Sequence, residues 1–179
     1  MIVKHFYHDD VHLAISDRAD GNMRSFSVQD DPIVLQNQQN LLNELGLSID
    51  QGARLKVTYK RTDYDWVSVI SESNLKEFCP KLPEDNIPIS DILVTTLSDV
   101  GLILPLADCL GVVLFDPEHR VLALVHGGRQ TLEQRGIEKA VSYLKNNYHS
   151  DPAMIKAVLS PCARSNYPLQ NLDNKTIPE

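Results

Sequence analysis

Between positions 92 and 125 the apolar residues fall into four short runs separated by turn-formers, the rhythm of strands rather than of helices. These runs predict strands over 92–96, 101–106, 110–115 and 121–125. Both alternating sets of Leu110-Gly111-Val112-Val113-Leu114-Phe115 are apolar, as are both sets of Val121-Leu122-Ala123-Leu124-Val125, so these two are expected to be central strands covered on both faces. Upstream, apolar pieces at 2–3 and 11–15 predict two strands, followed by a loop around Ala19-Asp20-Gly21-Asn22. Asp31-Pro32 then suits a helix start, the Asp as cap and the Pro at the first helical position, with Leu35, Leu41, Leu42 and Leu45 at helical spacing up to Gly46. Strands over 55–59 and 66–70 are expected around a polar turn at 60–65. From 72 to 90, charge and Pro80, Pro83 and Pro88 predict a loop or flap. A second helix carries Ile137, Ala140, Val141, Leu144 and Tyr148 on one face, with Thr131 and Gln134 in a capping-box pattern at its start. A last strand over 155–159 precedes Ser160-Pro161-Cys162 and a polar tail. The order of elements predicts a single α/β domain with a mixed central sheet flanked by helices.

Composition narrows the function classes. A chain of 179 residues is expected to form one domain and buries about 70% of its unfolded surface, so it needs neither disulfides nor a structural metal for a core. A formal net charge of −7 has the wrong sign for a protein that binds by neutralising phosphates, which argues against nucleic acid as a partner. The longest apolar runs fall far short of the roughly 20 residues that span a bilayer, so no membrane partner is expected. His5, Asp9 and Asp10 interrupt the start where a signal peptide would be apolar. Cys79, Cys109 and Cys162, irregularly spaced and odd in number, predict free thiols in a reducing cytoplasm.

The chemistry-bearing stretch is Ala107-Asp108-Cys109, then Asp116-Pro117-Glu118-His119, then His126-Gly127-Gly128-Arg129. If Asp-Pro-Glu-His turns a hairpin with Phe115 opposite Arg120, Cys109 falls opposite His126, with Cβ atoms about 4.5–5.5 Å apart. The inference is conditional on turn length, because register follows it. A thiolate and an imidazole meeting at a strand end are two ligands of a zinc ion, or a nucleophile and its base, or a small buried hydrophobe beside a core histidine. Gly127 and Gly128 between strand and helix let backbone amides approach a ligand, the helix start favours an anion, and Arg129 adds a planar donor fork for phosphate or carboxylate. His5, His8 and His12 are irregularly spaced near the terminus and read as surface residues rather than ligands.

These residues resemble the laccase-domain family, also called the polyphenol oxidase or purine nucleoside phosphorylase family. Its Thr-Ala-Asp-Cys stretch reads Leu106-Ala107-Asp108-Cys109 here, and its His-Ala-Gly-Trp-Arg-Gly reads His126-Gly127-Gly128-Arg129-Gln130-Thr131. Ser90-Asp91-Ile92-Leu93-Val94-Thr95 is similar to its Ala-Asp-Ala-Leu-Val-Thr strand, Asp30-Asp31-Pro32 with Asn40 to its Gly-Asp-Asp-Pro helix, and Ser16-Asp17-Arg18 to its Ser-Thr-Arg. The likeness covers most of the chain in order.

The resemblance implies a cytoplasmic zinc enzyme that acts on purine nucleosides by phosphorolysis and adenosine deamination. Its metal is held by two His and one Cys. Cys109 and His126 match two of these ligands, and Asp63 in Arg61-Thr62-Asp63-Tyr64 stands where the family has its other His. Zinc accepts a carboxylate oxygen, so Asp63, Cys109 and His126 are the expected metal ligands. Cys109, His126 and Arg129 are the expected catalytic residues, with phosphate near Gly127 and Gly128. The family's Trp-Arg-Gly is replaced by Arg129-Gln130-Thr131, and its Gly-Pro-Ile-Gly-Pro is reduced to Ser160-Pro161-Cys162-Ala163-Arg164. By this likeness the chain is shortened at its C-terminus, and a homo-oligomer in which a second subunit completes the pocket is a further expectation. Six histidines are too few for a multicopper centre. Two other readings of the same residues are a metal-free binding or assembly module and a Cys-His hydrolase with Cys109 as nucleophile.

Overall fold

The structure, a computed structural model, describes residues 10–23, 32–58 and 62–163, and the backbone of 2–6. At its centre lies a five-stranded mixed sheet of β4 (Val67–Ile70), β5 (Ile92–Thr95), β8 (Val121–Gly127), β7 (Leu110–Asp116) and β9 (Lys156–Leu159), in that spatial order. β4 and β5 run parallel; the other neighbours are antiparallel. The two strands expected to be apolar on both faces, β7 and β8, are central to the sheet. Ile92, Val94, Val112, Leu114, Val121, Ala123 and Val125 form one face and pack on Ala140 and Leu144 of α3 (Gly136–Tyr148). Each Ile, Val or Leu among them contributes about 1.5–3 kcal/mol by burial relative to leaving it exposed.

The opposite face is covered at the β5 end by Leu55, Phe78 and Ile87, which cluster with Ile70 and Leu93. Phe78 and Ile87 belong to the segment expected as a loop or flap. It is built of two short 3-10 turns, Leu75–Phe78 and Glu84–Asn86, which carry these side chains into the core. Its prolines do break regular structure, but Phe78 and Ile87 are buried anchors with Leu75 and Leu82 packed beside them, so the segment is cover for the sheet rather than a flap.

Two smaller sheets complete the fold. The two expected strands, β1 (Ile2–Phe6) and β2 (Val11–Ile15), pair antiparallel, and a 3-10 turn at Arg18–Asp20 follows where the loop was expected. β3 (Gly52–Arg54) pairs in parallel with β6 (Gly101–Ile103), so the strand expected over 55–59 sits earlier in the chain. Lys56 makes one isolated bridge with Ile89, and Tyr59 lies outside the described residues. The first helix, α1 (Pro32–Asn43), begins at the expected proline; its proposed cap Asp31 lies outside the described residues.

Two local expectations are corrected. The β7–β8 connection is a four-residue loop, Pro117-Glu118-His119-Arg120, closed by the Asp116–Val121 pair. Phe115 therefore faces Leu122, and His126 faces Gly111 rather than Cys109. The longer turn is held by Asp116, whose Oδ1 accepts the amides of Glu118 at 2.9 Å and His119 at 3.4 Å, and by Arg120 in the left-handed region at φ 53°. The register is displaced by two residues, so the pleat keeps its faces but the rungs move. The second helical region is split into α2 (Arg129–Glu133) and α3 by Arg135 at φ 59°. Thr131 is buried inside α2, and Gln134 does not close a capping box with it.

Candidate functional site

The corrected register decides what surrounds His126. The residue is 3% exposed on the penultimate position of β8, and by alternation with Val125 it belongs to the sheet face opposite α3. Its neighbours across the sheet are Gly111 on β7 and, on the other side, Asp91, whose carbonyl accepts the His126 amide at 2.9 Å. Leu106 and Ser160 fill the room over Gly111: a Cβ there would lie 2.8 Å from Leu106 Cδ1 and 3.3 Å from Ser160 Oγ. Cys109 is half-buried in the bend that leads into β7, one residue before the Leu110–Gly127 rung. The thiol and the imidazole thus lie at the same end of two adjacent strands, offset rather than opposed.

The two glycines have a steric reason that the sequence reading lacked. Neither has a positive φ. A Cβ on Gly128 would lie 2.6 Å from Cε1 of His126 and 3.2 Å from its Nε2, so the imidazole packs directly on this backbone. A Cβ on Gly127 would lie 3.0 Å from the Leu110 carbonyl oxygen. Both positions are close-packed against the strand pair. α2 has only five residues, so its backbone supplies little of the dipole expected to favour an anion. Arg129 is exposed at its start, with Nε 3.8 Å from Glu133 Oε1.

Asp63 is exposed on the loop before β4. Gln134 clasps that loop on both sides of Asp63: its Nε2 donates to the Thr62 carbonyl at 2.6 Å, and its Oε1 accepts the Tyr64 amide at 3.0 Å. Lys139 adds an ion pair to Asp65 at 2.7 Å. The loop is thereby fastened to the α2–α3 elbow, which follows directly from the His126-Gly127-Gly128 turn. Among the described residues, no three His, Cys, Asp or Glu side chains converge as a metal-holding group. Asp63, Cys109 and His126 therefore do not fit a complete three-donor zinc site as they stand. His12 is exposed on β2, and the side chain of His5 and the whole of His8 lie outside the described residues. None of the three cysteines forms a disulfide.

A groove of about 1020 Å³ opens on the same sheet face, between Val113, Leu122 and Leu124 of the sheet, Leu13 of β2 and Leu41 of α1. Its lining reaches Ala107 and Gly111, the immediate neighbours of the Cys109–His126 end. Sequence reasoning missed Asp91 and Gln134. Asp91 was visible only within the family-like Ser90-to-Thr95 stretch, with no role attached, and Gln134 as half of a capping pattern.

Comparison with known proteins accounts for this arrangement. Residues 15–170 match the family described as multi-copper polyphenol oxidoreductase laccase. The chain is 30% identical over 139 residues to a purine nucleoside phosphorylase of Corynebacterium glutamicum, covering 76% of this chain and 51% of that one. Its fold is similar to that of the hypothetical protein YfiH of Bacillus licheniformis, with a TM-score of 0.68 and 21% identity over 77% of this chain and 50% of that one. It is also similar to YlmD of Geobacillus stearothermophilus, with a TM-score of 0.65 and 20% identity over 79% of this chain and 50% of that one. The chain thus spans about half the length of these relatives. With the match running from β2 to beyond β9 and the Cys109 and His126 motifs in family order, the chain belongs to the multi-copper polyphenol oxidoreductase laccase family.

Proposed function

We propose that this protein acts on purine nucleosides, by phosphorolysis and by adenosine deamination. The observation that carries the reading is the 30% identity over 139 residues to a purine nucleoside phosphorylase. The adjacency of Cys109 and His126 at one end of β7 and β8 supports it. In phosphorolysis, phosphate displaces the base from the anomeric carbon of the ribose, and the departing purine takes up a proton. In our reading Arg129, with the backbone of Gly127 and Gly128, receives the phosphate, and Cys109 and His126 form the reactive end of the site. The groove beside the site has the volume of a small-molecule cleft, and its apolar wall suits a purine ring.

Zinc enters the proposal as a metal that Cys109 and His126 would hold, the described residues bringing no third His, Cys, Asp or Glu to them. Three cysteines without a disulfide suit a reducing cytoplasm, which we take as the compartment. No helix among the described residues is long and apolar enough to cross a membrane. A homo-oligomer belongs to the same proposal.

The test is turnover of inosine and adenosine with and without phosphate, together with elemental analysis of the purified protein. We expect free base from inosine only when phosphate is present, and about one zinc per chain that Cys109→Ala loses. Absence of turnover on both nucleosides overturns the reading. A second reading, a binding module without catalysis, is favoured by the exposure of Asp63 and by Arg129 lying beside Glu133. It predicts an adenosine-induced rise in melting temperature with no product.

A further inference from the structure

We propose that Cys109 and Cys162 form a modification site, a thiol pair that hydrogen peroxide converts reversibly into a disulfide. The pairing stands on its own geometry, while its consequence for activity rests on the proposed Cys109–His126 site. β7 and β9 pair from Phe115–Lys156 to Val112–Leu159, and their backbones stay together beyond that ladder. The Ser160 amide donates to the Gly111 carbonyl at 2.9 Å, and the Gly111 amide donates to Ser160 Oγ at 2.9 Å. Further along, the Ala163 amide donates to the Asp108 carbonyl at 2.9 Å. Cys109 directly follows Asp108 and Cys162 directly precedes Ala163, so the two cysteines lie between hydrogen-bonded pairs of one register. Measured through the Ala163–Asp108 bond, standard bond lengths keep their Cα atoms within about 8 Å of each other. Opposed residues of an antiparallel pair stand about 4.5–5.5 Å apart, within the roughly 4.4–6.8 Å that a disulfide spans.

The two sulfurs are not bonded in this structure, and the proposal needs no contact between them before oxidation. Cys109 sits in a bend, and Pro161 has no amide with which to extend the ladder beside it. The stretch is therefore not a locked rung, and rotation about χ1 brings the thiols together. Cys162 is exposed and Cys109 half-buried, which admits a small oxidant. Cys79 is 8% exposed in the segment that covers the β5 end of the sheet, with Sγ 3.8 Å from the Ile49 carbonyl oxygen. In the first step the Cys162 thiolate attacks a peroxide oxygen: an S–O bond forms, the O–O bond breaks and hydroxide leaves. The Cys109 thiolate then attacks that sulfur, the S–S bond forms and a second hydroxide leaves. With the two thiol protons, the hydroxides become two waters, and the two thiols have given up two electrons to one peroxide. A dithiol restores both thiols by exchange. An accessible thiol beside a resolving cysteine is the usual form of a redox sensor, and transient disulfides of this kind occur in a reducing cytoplasm. The bond ties up the Cys109 sulfur, so it withdraws the thiolate from the reactive end of the proposed site and halts turnover.

The test treats the full chain with hydrogen peroxide and maps its peptides by mass spectrometry without reduction. One joined peptide pair is expected, carrying Cys109 and Cys162 within a single chain, and a dithiol is expected to separate it. Cys79→Ser should leave this product unchanged. Cys162→Ser should abolish it, keep nucleoside turnover before oxidation, and leave Cys109 to proceed to sulfinic acid. Turnover of the unmodified protein should fall in proportion to the disulfide formed and return on reduction. Oxidation of Cys109 without a joined peptide, or a link to Cys79 or between two chains in its place, overturns the proposal. Mapping the unmodified protein answers even where a variant does not fold. A reversible Cys109–Cys162 disulfide in a protein that turns over no nucleoside retains the modification site and removes only the proposed activity.

Discussion

Gly128 carries the His126 ring on its backbone: a β-carbon at this position would stand 2.6 Å from Cε1. The backbone at Gly128, φ −74° and ψ 167°, is open to any residue, so the constraint is space alone. Gly128→Ala is expected to push the ring off its place, to destabilise the fold by about 1–3 kcal/mol as overpacking does, and to reduce nucleoside turnover. Thermal melts and kinetics on the variant check both effects. A variant with native stability and native turnover shows that the ring has room to move.

Gln134 tests whether the Asp63 loop matters. Gln134→Ala removes both bonds to the loop, those to the Thr62 carbonyl and the Tyr64 amide. With net contributions near 1 kcal/mol per hydrogen bond, the expected loss is about 1–2 kcal/mol. Hydrogen exchange at the Tyr64 amide is expected to speed up. Gln134→Glu keeps an acceptor for Tyr64 but no donor for Thr62, so its effect should approach that of the alanine.

The β7–β8 turn gives an acid signature. Burial tends to raise the Asp116 pKa. Against it act the Ser150 hydroxyl, buried nearby without meeting hydrogen-bonding geometry, the His119 ring at 2.7 Å, and the amides of Glu118 and His119. The lowering contributions win, so the carboxyl titrates below its ordinary value. A depressed carboxylate stabilises the fold above its unfolded pKa of about 3.9, and this contribution is lost as pH falls through the folded value. Melting temperature should therefore drop from about pH 4 downward. Asp116→Asn should be less stable at neutral pH and lose less on acidification.

Arg129 separates binding from folding. Its exposed pair with Glu133 at 3.8 Å is the kind worth about 0–1 kcal/mol. Arg129→Ala should leave the melting temperature nearly unchanged and raise KM for phosphate about tenfold, the loss of one charge-assisted hydrogen bond. An unchanged KM takes Arg129 out of the phosphate site.

The apolar rhythm of 110–115 and 121–125 identified the two central strands, and Pro32 marked the start of α1. The rung that His126 occupies was not legible. It depended on whether the Asp116 carboxylate would hold a four-residue turn with Arg120 at positive φ, and nothing in Asp-Pro-Glu-His distinguishes that turn from a shorter one. Nor was the role of the segment at 72–90 legible, because local composition reports prolines and charges and is silent on Phe78 and Ile87 finding a sheet face to cover.

By itself the chain determined the strand segments of the central sheet and the start of α1, and which residues at the ends of β7 and β8 carry reactive groups, because periodicity and residue chemistry are local properties. Only the tertiary structure decided that His126 rests on Gly128 and faces Asp91 and Gly111, and that Gln134 holds the Asp63 loop. These are contacts between residues on different strands and loops. Their existence follows from strand order and register, which come from the packing of the whole sheet rather than from any one stretch of sequence.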